Sequence, residues 1–287
     1  SGEVAQDRSG SAVAVAGDVN GDGYDDLLIG AYGQDLGSNS TSNAGAAYLL
    51  LGPLSGSKSL ADIADVKFEG ETKDDQFGLH LNAAGDLDAD GYADMVVGSP
   101  YYNPASTGNG PGRAYIFYGD TSFSATVAAV DADAILEGES NNDLAGICVT
   151  SAGDWDGDGF SDLLIGAEGD DDGGANAGAA YVVLGPVAGS FSLASADVKL
   201  VGENSNDKAG FSLDDIGDMN SDGYGDVIVG AYQDDTVASN AGVAHLVFGG
   251  GTASTLDLSV SDVKLYGESK NDTAGYSVAG IGDIEGD

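Results

Sequence analysis

The chain has 287 residues, of which 48 are acidic and only nine are Lys or Arg, so its formal net charge is −39 at pH 7. So acidic a chain repels nucleic acid and anionic membrane surfaces, and it has no basic patch to offer either of them. A single cysteine, Cys148, excludes an internal disulfide and a cysteine-based zinc site, and no apolar run reaches the ~18 residues of a membrane-spanning helix.

From the N-terminus onward, a nine-residue acidic loop recurs along the chain. Its complete copies are residues 18–26, 86–94, 154–162 and 218–226, and a fifth copy, beginning at residue 283, is cut short at residue 287. Successive copies start 68, 68, 64 and 65 residues apart. A nearly constant period of this length is typical of repeat architectures.

Four short β-type segments surround each complete loop. In the first repeat, an alternating segment (11–18) leads into the loop, and a continuous apolar segment (27–31) follows it. A third segment opens on small residues (45–52), and a fourth ends in Gly-Glu (66–71). Four such segments separated by Gly, Asn and Asp predict a four-stranded antiparallel sheet, whereas no window has a convincing helical period.

A β-propeller is the fold that this repeat favours, because radial packing of four-stranded blades hides their edges. A β-solenoid would need shorter coils, and immunoglobulin-like sandwiches would need about 100 residues per unit. We therefore predict an all-β propeller over residues 1–287. Its complete blades are expected at about 9–70, 77–138, 146–202 and 210–267, with the first strand of a further blade at 275–282. Because both ends fall inside a repeat, the chain is expected to be a piece of a longer protein.

The recurring loop offers the oxygen ligands that Ca²⁺ prefers, about 6–8 in number. Carboxylate or amide side chains stand at positions 1, 3, 5 and 9, a backbone carbonyl is available at position 7, and glycine at position 6 tolerates positive φ. The prediction is about one Ca²⁺ per complete blade. The predicted ligands are Asp18, Asn20, Asp22, Tyr24 and Asp26; Asp86, Asp88, Asp90, Tyr92 and Asp94; Asp154, Asp156, Asp158, Phe160 and Asp162; Asp218, Asn220, Asp222, Tyr224 and Asp226; and, in the truncated copy, Asp283, Glu285 and Asp287.

An EF-hand is the structural alternative, since its loop begins in the same way. It requires a bidentate Glu at position 12 and a following helix. Position 12 is instead apolar and lies in the predicted second strand, as Ile29, Val97, Ile165 and Val229. This excludes the EF-hand.

These repeats resemble the FG-GAP family, the blades of the integrin α-subunit propeller and its bacterial relatives. Phe77-Gly78 and Gly98-Ser99-Pro100 match the two halves of the family name, and the other copies are looser. The resemblance implies a seven-bladed propeller with calcium between the first two strands of a blade. It also implies ligand binding on the opposite face, formed here by the loops at about 32–44, 100–111, 168–177 and 232–241.

A secreted or cell-surface module for binding or adhesion, with Ca²⁺ as a structural ion, is the leading functional prediction. Its partner would be a protein or a glycan on the face opposite the calcium loops. Alternatively, copies of the chain would bind each other as units of a surface layer or filament. Nucleic-acid binding and direct membrane insertion are not expected.

A polysaccharide-active propeller enzyme is the third functional hypothesis. Such chemistry usually needs a convergent set of His, Arg, Lys or Tyr, whereas the two His and nine basic residues are scattered among the repeats. No catalytic residue and no organic cofactor is therefore assigned.

Three further features carry structural expectations. The acidic run at residues 170–172 is expected to be a solvated loop, with a further cation site as the alternative. His245, in a slot that holds Tyr in the other repeats, is expected to pack in the core. Trp155, at position 2 of its loop, where the other copies have Val19, Leu87 and Met219, is expected to pack beneath the metal.

Overall fold

The computed structural model describes residues 6–36, 42–56, 59–104 and 110–282. Nineteen strands carry almost all of its regular structure. In chain order they are β1 (Val13–Gly17), β2 (Asp26–Ala31), β3 (Ala46–Leu50), β4 (Val66–Glu69), β5 (Leu81–Gly85), β6 (Asp94–Ser99), β7 (Arg113–Phe117), β8 (Thr126–Ala128), β9 (Ala134–Glu137), β10 (Val149–Gly153), β11 (Asp162–Ala167), β12 (Ala179–Val183), β13 (Phe191–Ser192), β14 (Val198–Val201), β15 (Ala209–Gly217), β16 (Asp226–Ala231), β17 (Val243–Val247), β18 (Thr255–Asp257) and β19 (Val263–Tyr266). The helical elements are one α-helical turn, α1 (Leu60–Ile63), and the 3₁₀ turns Ala129–Asp131, Leu193–Ser195 and Leu258–Val260.

Each sequence repeat folds into one sheet with four antiparallel strands in chain order. The four sets are β1-β2-β3-β4, β5-β6-β7-β9, β10-β11-β12-β14 and β15-β16-β17-β19. This confirms the predicted all-β fold of antiparallel propeller blades. Position 12 of every acidic loop lies inside the second strand of its sheet, as the exclusion of an EF-hand requires.

A fifth strand, which the sequence pattern does not predict, extends three of the sheets. The segment just before the last strand of one repeat pairs in parallel with the last strand of the preceding repeat: β8 with β4, β13 with β9 and β18 with β14. These strands have only two or three residues, too few for a period to be recognised. In the part of the chain that is described, the outer edge of β19 has no such partner.

Neighbouring sheets pack face to face, and their first strands β1, β5, β10 and β15 adjoin in that order. Between the first two sheets, Leu28, Leu49 and Phe68 of one face meet Val97 and Phe117 of the other in a buried core. Equivalent cores lie between the second and third and between the third and fourth sheets. Three of the apolar cores thus lie between neighbouring blades.

Close backbone contact explains two of the glycines that recur in every repeat. A Cβ added to Gly30 would lie 2.1 Å from the carbonyl oxygen of Gly78 in the next sheet, and one added to Gly98 would lie 2.0 Å from that of Gly146. Any side chain there would force adjacent blades apart. The paired glycines are therefore requirements of the blade interface.

Residues 275–282, predicted as the first strand of a further blade, form no β-strand. The segment lies beside β15, where the Gly280 N–H donates to Asp214 Oδ2 at 2.8 Å. A strand needs a hydrogen-bonding partner, and the described residues after 267 include no second strand for it. No helix within the described ranges is long and apolar enough to cross a membrane.

Candidate metal loops

Each acidic loop connects the first two strands of its sheet, so all four lie at the same end of the blades. Position 1 directly follows the first strand, and position 9 is the first residue of the second. In the first sheet these are Asp18, after β1, and Asp26, which opens β2. The fifth copy, with Asp283, Glu285 and Asp287, lies outside the described residues.

Backbone N–H groups within each loop turn the acidic side chains inward. In the first loop, Asp18 Oδ2 accepts from Gly23 N at 2.8 Å, Asn20 Oδ1 from Asp22 N at 3.0 Å, and Asp22 Oδ1 from Tyr24 N at 3.0 Å. The other three loops make the same three bonds at 2.9–3.2 Å. The predicted ligands at positions 1, 3 and 5 are thus brought together in every loop. Carboxylate and amide oxygens have further lone pairs for a cation.

Two positions of the loop have left-handed backbone. Position 6 is glycine in all four copies, with φ between +90° and +96°. Position 4 is also left-handed, with φ of +73° at Gly21, +59° at Ala89, +77° at Gly157 and +61° at Ser221. The sequence predicts the first but not the second, since Ala and Ser carry no signal for positive φ.

The aspartate at position 9 has a structural role beyond the predicted ligation. The carboxylate of Asp26 accepts from the N–H of Val19 in its own loop at 3.0 Å and from that of Gly52, after the third strand, at 2.8 Å. All four copies make this bridge. The pKa of Asp94 is raised to about 7 and that of Asp162 to about 6. Burial is the main cause and the neighbouring loop carboxylates add to it, whereas the two backbone hydrogen bonds act in the opposite direction.

The donor set fits a divalent cation. Carboxylate oxygens of Asp86, Asp88 and Asp90 lie within 4.8 Å of one another, and so do those of Asp154, Asp156 and Asp162. Asp154 Oδ1 is buried without a hydrogen-bond partner within the described chain, an arrangement that is costly unless another positive or donor group satisfies it. Ca²⁺ bound among these oxygens would do so and would remove their mutual repulsion.

Loops one and four carry one negative charge fewer at position 3. There the amides of Asn20 and Asn220 donate to Asp22 Oδ2 at 3.2 Å and to Asp222 Oδ2 at 2.8 Å. The four loops therefore share a backbone frame but differ in charge. Loops two and three have the fully acidic set.

At position 2, Val19, Leu87 and Trp155 are buried, whereas Met219 is 61% exposed. Trp155 is thus buried beneath its loop, as expected. Met219 is exposed because no further sheet covers this face in the described chain. His245 is buried, as expected, with Nδ1 3.0 Å from Ser261 Oγ.

The acidic run at 170–172 is not simply solvated, which corrects the sequence-based expectation. Asp170 is buried and accepts from Lys199 Nζ at 2.8 Å and from Tyr181 OH at 2.9 Å. Lys199 also donates to Glu139 of the preceding blade at 3.0 Å and to Asp172 at 2.6 Å. These carboxylates already surround a cation, the lysine ammonium. Burial lowers the pKa of Lys199, but the hydrogen bonds from its ammonium to these carboxylates outweigh burial and raise that pKa above its ordinary value.

The glutamate that follows the last strand therefore joins adjacent blades, a role that its sequence pattern does not reveal. Glu71 accepts from Arg113 Nη1 and from Tyr115 OH, both at 2.8 Å. Glu203 pairs with Lys264. Each pair crosses from one blade to the next, so a repeated ion pair accompanies each apolar interface.

The opposite end of the blades, where the second strand ends, is rich in aromatic side chains. The rings of Phe211, Tyr232 and Tyr276 form a cluster with centroids 4.6–5.3 Å apart, and Tyr276 is 57% exposed. Tyr32 lies under the Arg8 guanidinium at 4.8 Å. Glu168 occupies the equivalent position in the third sheet, where burial raises its pKa.

Comparison with known proteins agrees with this geometry. Residues 9–50, 81–117 and 149–183 match the FG-GAP repeat, and each matched stretch contains one complete acidic loop. The fourth loop keeps the same residue types at positions 1, 3, 5, 6 and 9.

The chain is similar to integrin α subunits. It is 34% identical to integrin alpha-PS2 of Drosophila melanogaster over 157 residues, which are 52% of this chain and 11% of that protein. It is 32% identical to human integrin alpha-IIb over 170 residues (58% and 15%) and 31% identical to mouse integrin alpha-7 over 173 residues (58% and 13%). The chain thus matches only a small part of each relative's length. The three stretches that match the FG-GAP repeat, the blade-like sheets and this similarity together support an FG-GAP, integrin α-like family for the chain.

Proposed function

We propose that this chain is part of an extracellular or cell-surface β-propeller that binds other molecules and depends on Ca²⁺ for its stability. The observation that carries the proposal is the fourfold loop with one shared pattern of hydrogen bonds, in which carboxylate oxygens within the second copy, and likewise within the third, lie within 4.8 Å of one another. The similarity to integrin α subunits supports a role in adhesion. A seven-bladed ring completed by further sequence belongs to the same proposal.

Calcium dependence is tested by thermal unfolding and titration calorimetry. Each site that binds only the folded chain adds about 2.7 kcal/mol when free Ca²⁺ is 100-fold above its Kd. EGTA should therefore lower the melting temperature substantially. A variant with alanine at Asp22, Asp90, Asp158 and Asp222 should melt at the same temperature with and without Ca²⁺. If the unaltered chain melted at the same temperature in EGTA and in Ca²⁺, and calorimetry detected no heat of Ca²⁺ binding, the proposal would be refuted.

Recognition is proposed for the face opposite the metal loops. Its aromatic cluster at Phe211, Tyr232 and Tyr276 offers exposed ring surface of the kind enriched at binding interfaces. The partner would be a protein or a glycan. The −39 charge of the chain favours partners with a positive surface.

The binding test uses arrays of glycans and of purified extracellular-matrix proteins probed with the Ca²⁺-loaded chain. The double variant Tyr232→Ala/Tyr276→Ala should lose signals that the Tyr24→Ala variant, altered on the metal-loop face, retains. If the Tyr24→Ala variant alone lost these signals, recognition would lie on the metal-loop face, and the proposal would be contradicted.

A structural building unit is a second candidate, favoured by the uncovered face of the fourth sheet. Val263 and Leu265 of β19 are exposed there, although their counterparts Val198 and Leu200 in the third sheet are buried. A groove of about 830 Å³ on the first sheet, lined in part by Leu27, Leu50 and other apolar side chains, is the reciprocal surface. Filaments in electron micrographs that disappear in Leu265→Asp would favour this candidate, and a monomer at all concentrations would reject it.

A further inference from the structure

Each metal loop is tied to the loop of the following blade by backbone hydrogen bonds. The carbonyl of position 1 accepts from the N–H of position 8 in the next loop at all three interfaces. Ala93 N donates to Asp18 O at 3.1 Å, Ser161 N to Asp86 O at 3.4 Å, and Gly225 N to Asp154 O at 2.6 Å. The residue that supplies the first predicted ligand thus has its backbone held from outside its own blade.

A second set of bonds holds position 2 at two of these interfaces. Val19 O accepts from Asp120 N at 3.0 Å, and Trp155 O accepts from Gly250 N at 2.8 Å. At the remaining interface the equivalent donor position is Pro186, which has no N–H.

The aromatic ring at position 7 completes the contact. A Cβ added to Gly21, at position 4 of the first loop, would lie 2.3 Å from Cε1 of Tyr92, so this ring lies directly on the Gly21 backbone. Tyr224 covers Gly157 in the same way, with a distance of 2.7 Å. In both loops the covered glycine is the left-handed residue between two predicted ligands.

The middle interface replaces this contact with a hydroxyl group. Position 4 of the second loop is Ala89, and Ser161 Oγ of the third loop accepts from the Asp86 N–H at 3.3 Å. The first ligand residue of that loop is thus held at both its N–H and its carbonyl by the same serine.

We propose that the metal loops are coupled across the blade interfaces, and that Tyr92 and Tyr224 are positioning residues for the metal loop of the blade before their own. The proposal rests on the proposed calcium function of the loops. A position-7 residue is predicted to give its own ion only a backbone carbonyl, which leaves its side chain free to serve the neighbouring loop. Groups that orient metal ligands from outside the coordination sphere typically contribute about 10–100-fold to metal affinity.

Tyr24 provides a matched control within the same chain. It occupies position 7 of the first loop but is 54% exposed, and no preceding metal loop lies in the described residues. By calorimetric Ca²⁺ titration, Tyr92→Ala should weaken one site about tenfold. Tyr24→Ala and the ring-preserving Tyr92→Phe should leave every site within about twofold of the unaltered chain, since the natural loops already use both Tyr and Phe here.

A double-mutant cycle identifies the loop through which Tyr92 acts. Asp22→Ala disables the first loop and should remove one site from the titration. In that background, Tyr92→Ala should no longer change the remaining affinities. If Tyr92→Ala weakens a remaining site there, or has no effect in the intact chain, the coupling is refuted although calcium binding stands. If the intact chain binds no Ca²⁺, the calcium function itself fails. Circular dichroism verifies that every variant is folded.

Discussion

At position 6 of each metal loop, the backbone conformation by itself requires glycine. Gly159 has φ of +96°, yet a Cβ there would meet no atom within 4 Å. The requirement is therefore torsional and not steric. The sequence predicts it because the loop must turn tightly there to bring positions 5 and 7 toward the same ion.

Replacing Gly159 by alanine should lower the free energy of unfolding by about 1–2 kcal/mol, since a left-handed backbone strains an L-residue by that amount. Urea denaturation would measure the loss. Gly251→Ala is the matched control, because its added Cβ also meets nothing and its φ lies outside the left-handed region. Equal stabilities of the two variants would contradict the torsional explanation.

His245 stands where the other three repeats have Tyr48, Tyr115 and Tyr181. Burial lowers the pKa of His245 to about 4, and nearby Lys264 lowers it further. The unfolded chain, with an ordinary histidine pKa near ~6.5, therefore binds this proton more tightly than the folded chain. By linkage, the free energy of unfolding is therefore highest with respect to this group above pH ~6.5, where His245 is neutral in both states. It decreases as the pH falls from ~6.5 toward ~4, because the unfolded chain takes up the proton first.

His245→Tyr should remove this loss of stability. The new hydroxyl is expected to donate to the equivalent glutamate of the preceding blade, as the Tyr115 hydroxyl donates to Glu71. The unfolding free energies of the two proteins should diverge by up to about 3 kcal/mol between pH 6.5 and 4, with the variant favoured at the acidic end. Chemical denaturation at a series of pH values would measure the difference. Parallel curves would show that His245 is not protonated differently in the two states.

At the scale of elements, a short strand and a 3₁₀ turn precede the last strand of the second, third and fourth sheets and connect adjacent blades. β18 pairs with β14 of the preceding sheet, and Leu258 in the following turn is completely buried in the core between those sheets. Leu193 has the same place one interface earlier. Sequence periodicity misses this element because its two or three strand residues acquire a partner only when the neighbouring blade is in place.

Leu258→Ala should lower the free energy of unfolding by about 2–5 kcal/mol, the usual loss for a buried leucine that leaves a cavity. Val260→Ala, in the same turn but 70% exposed, should change it by less than about 0.5 kcal/mol. Thermal and urea unfolding of both variants would measure these values. Similar losses would mean that the turn contributes through its backbone and not through the buried leucine.

At the scale of the whole molecule, the −39 charge opposes the compact state through self-repulsion. Four Ca²⁺ ions would offset only part of it. In EGTA, raising NaCl to ~1 M, where the Debye length falls to ~3 Å, should raise the melting temperature. The gain should be smaller in Ca²⁺, since the closest carboxylates are then neutralised. Differential scanning calorimetry would show both, and a fall with salt in EGTA would contradict the prediction.

The sequence by itself determined the local features of this protein. The loop period, the four antiparallel strands, the glycine at position 6 and the set of side-chain oxygens all follow from residues close together in the chain, where spacing and backbone preference are sufficient. Only the tertiary structure decided which blade satisfies which group. Glu71 meets Arg113, Glu139 meets Lys199, and Tyr92 covers Gly21 across interfaces between different repeats. Such contacts depend on how two sheets pack, because the repeat period does not say which side chains of two neighbouring sheets meet across residues about 40–70 positions apart.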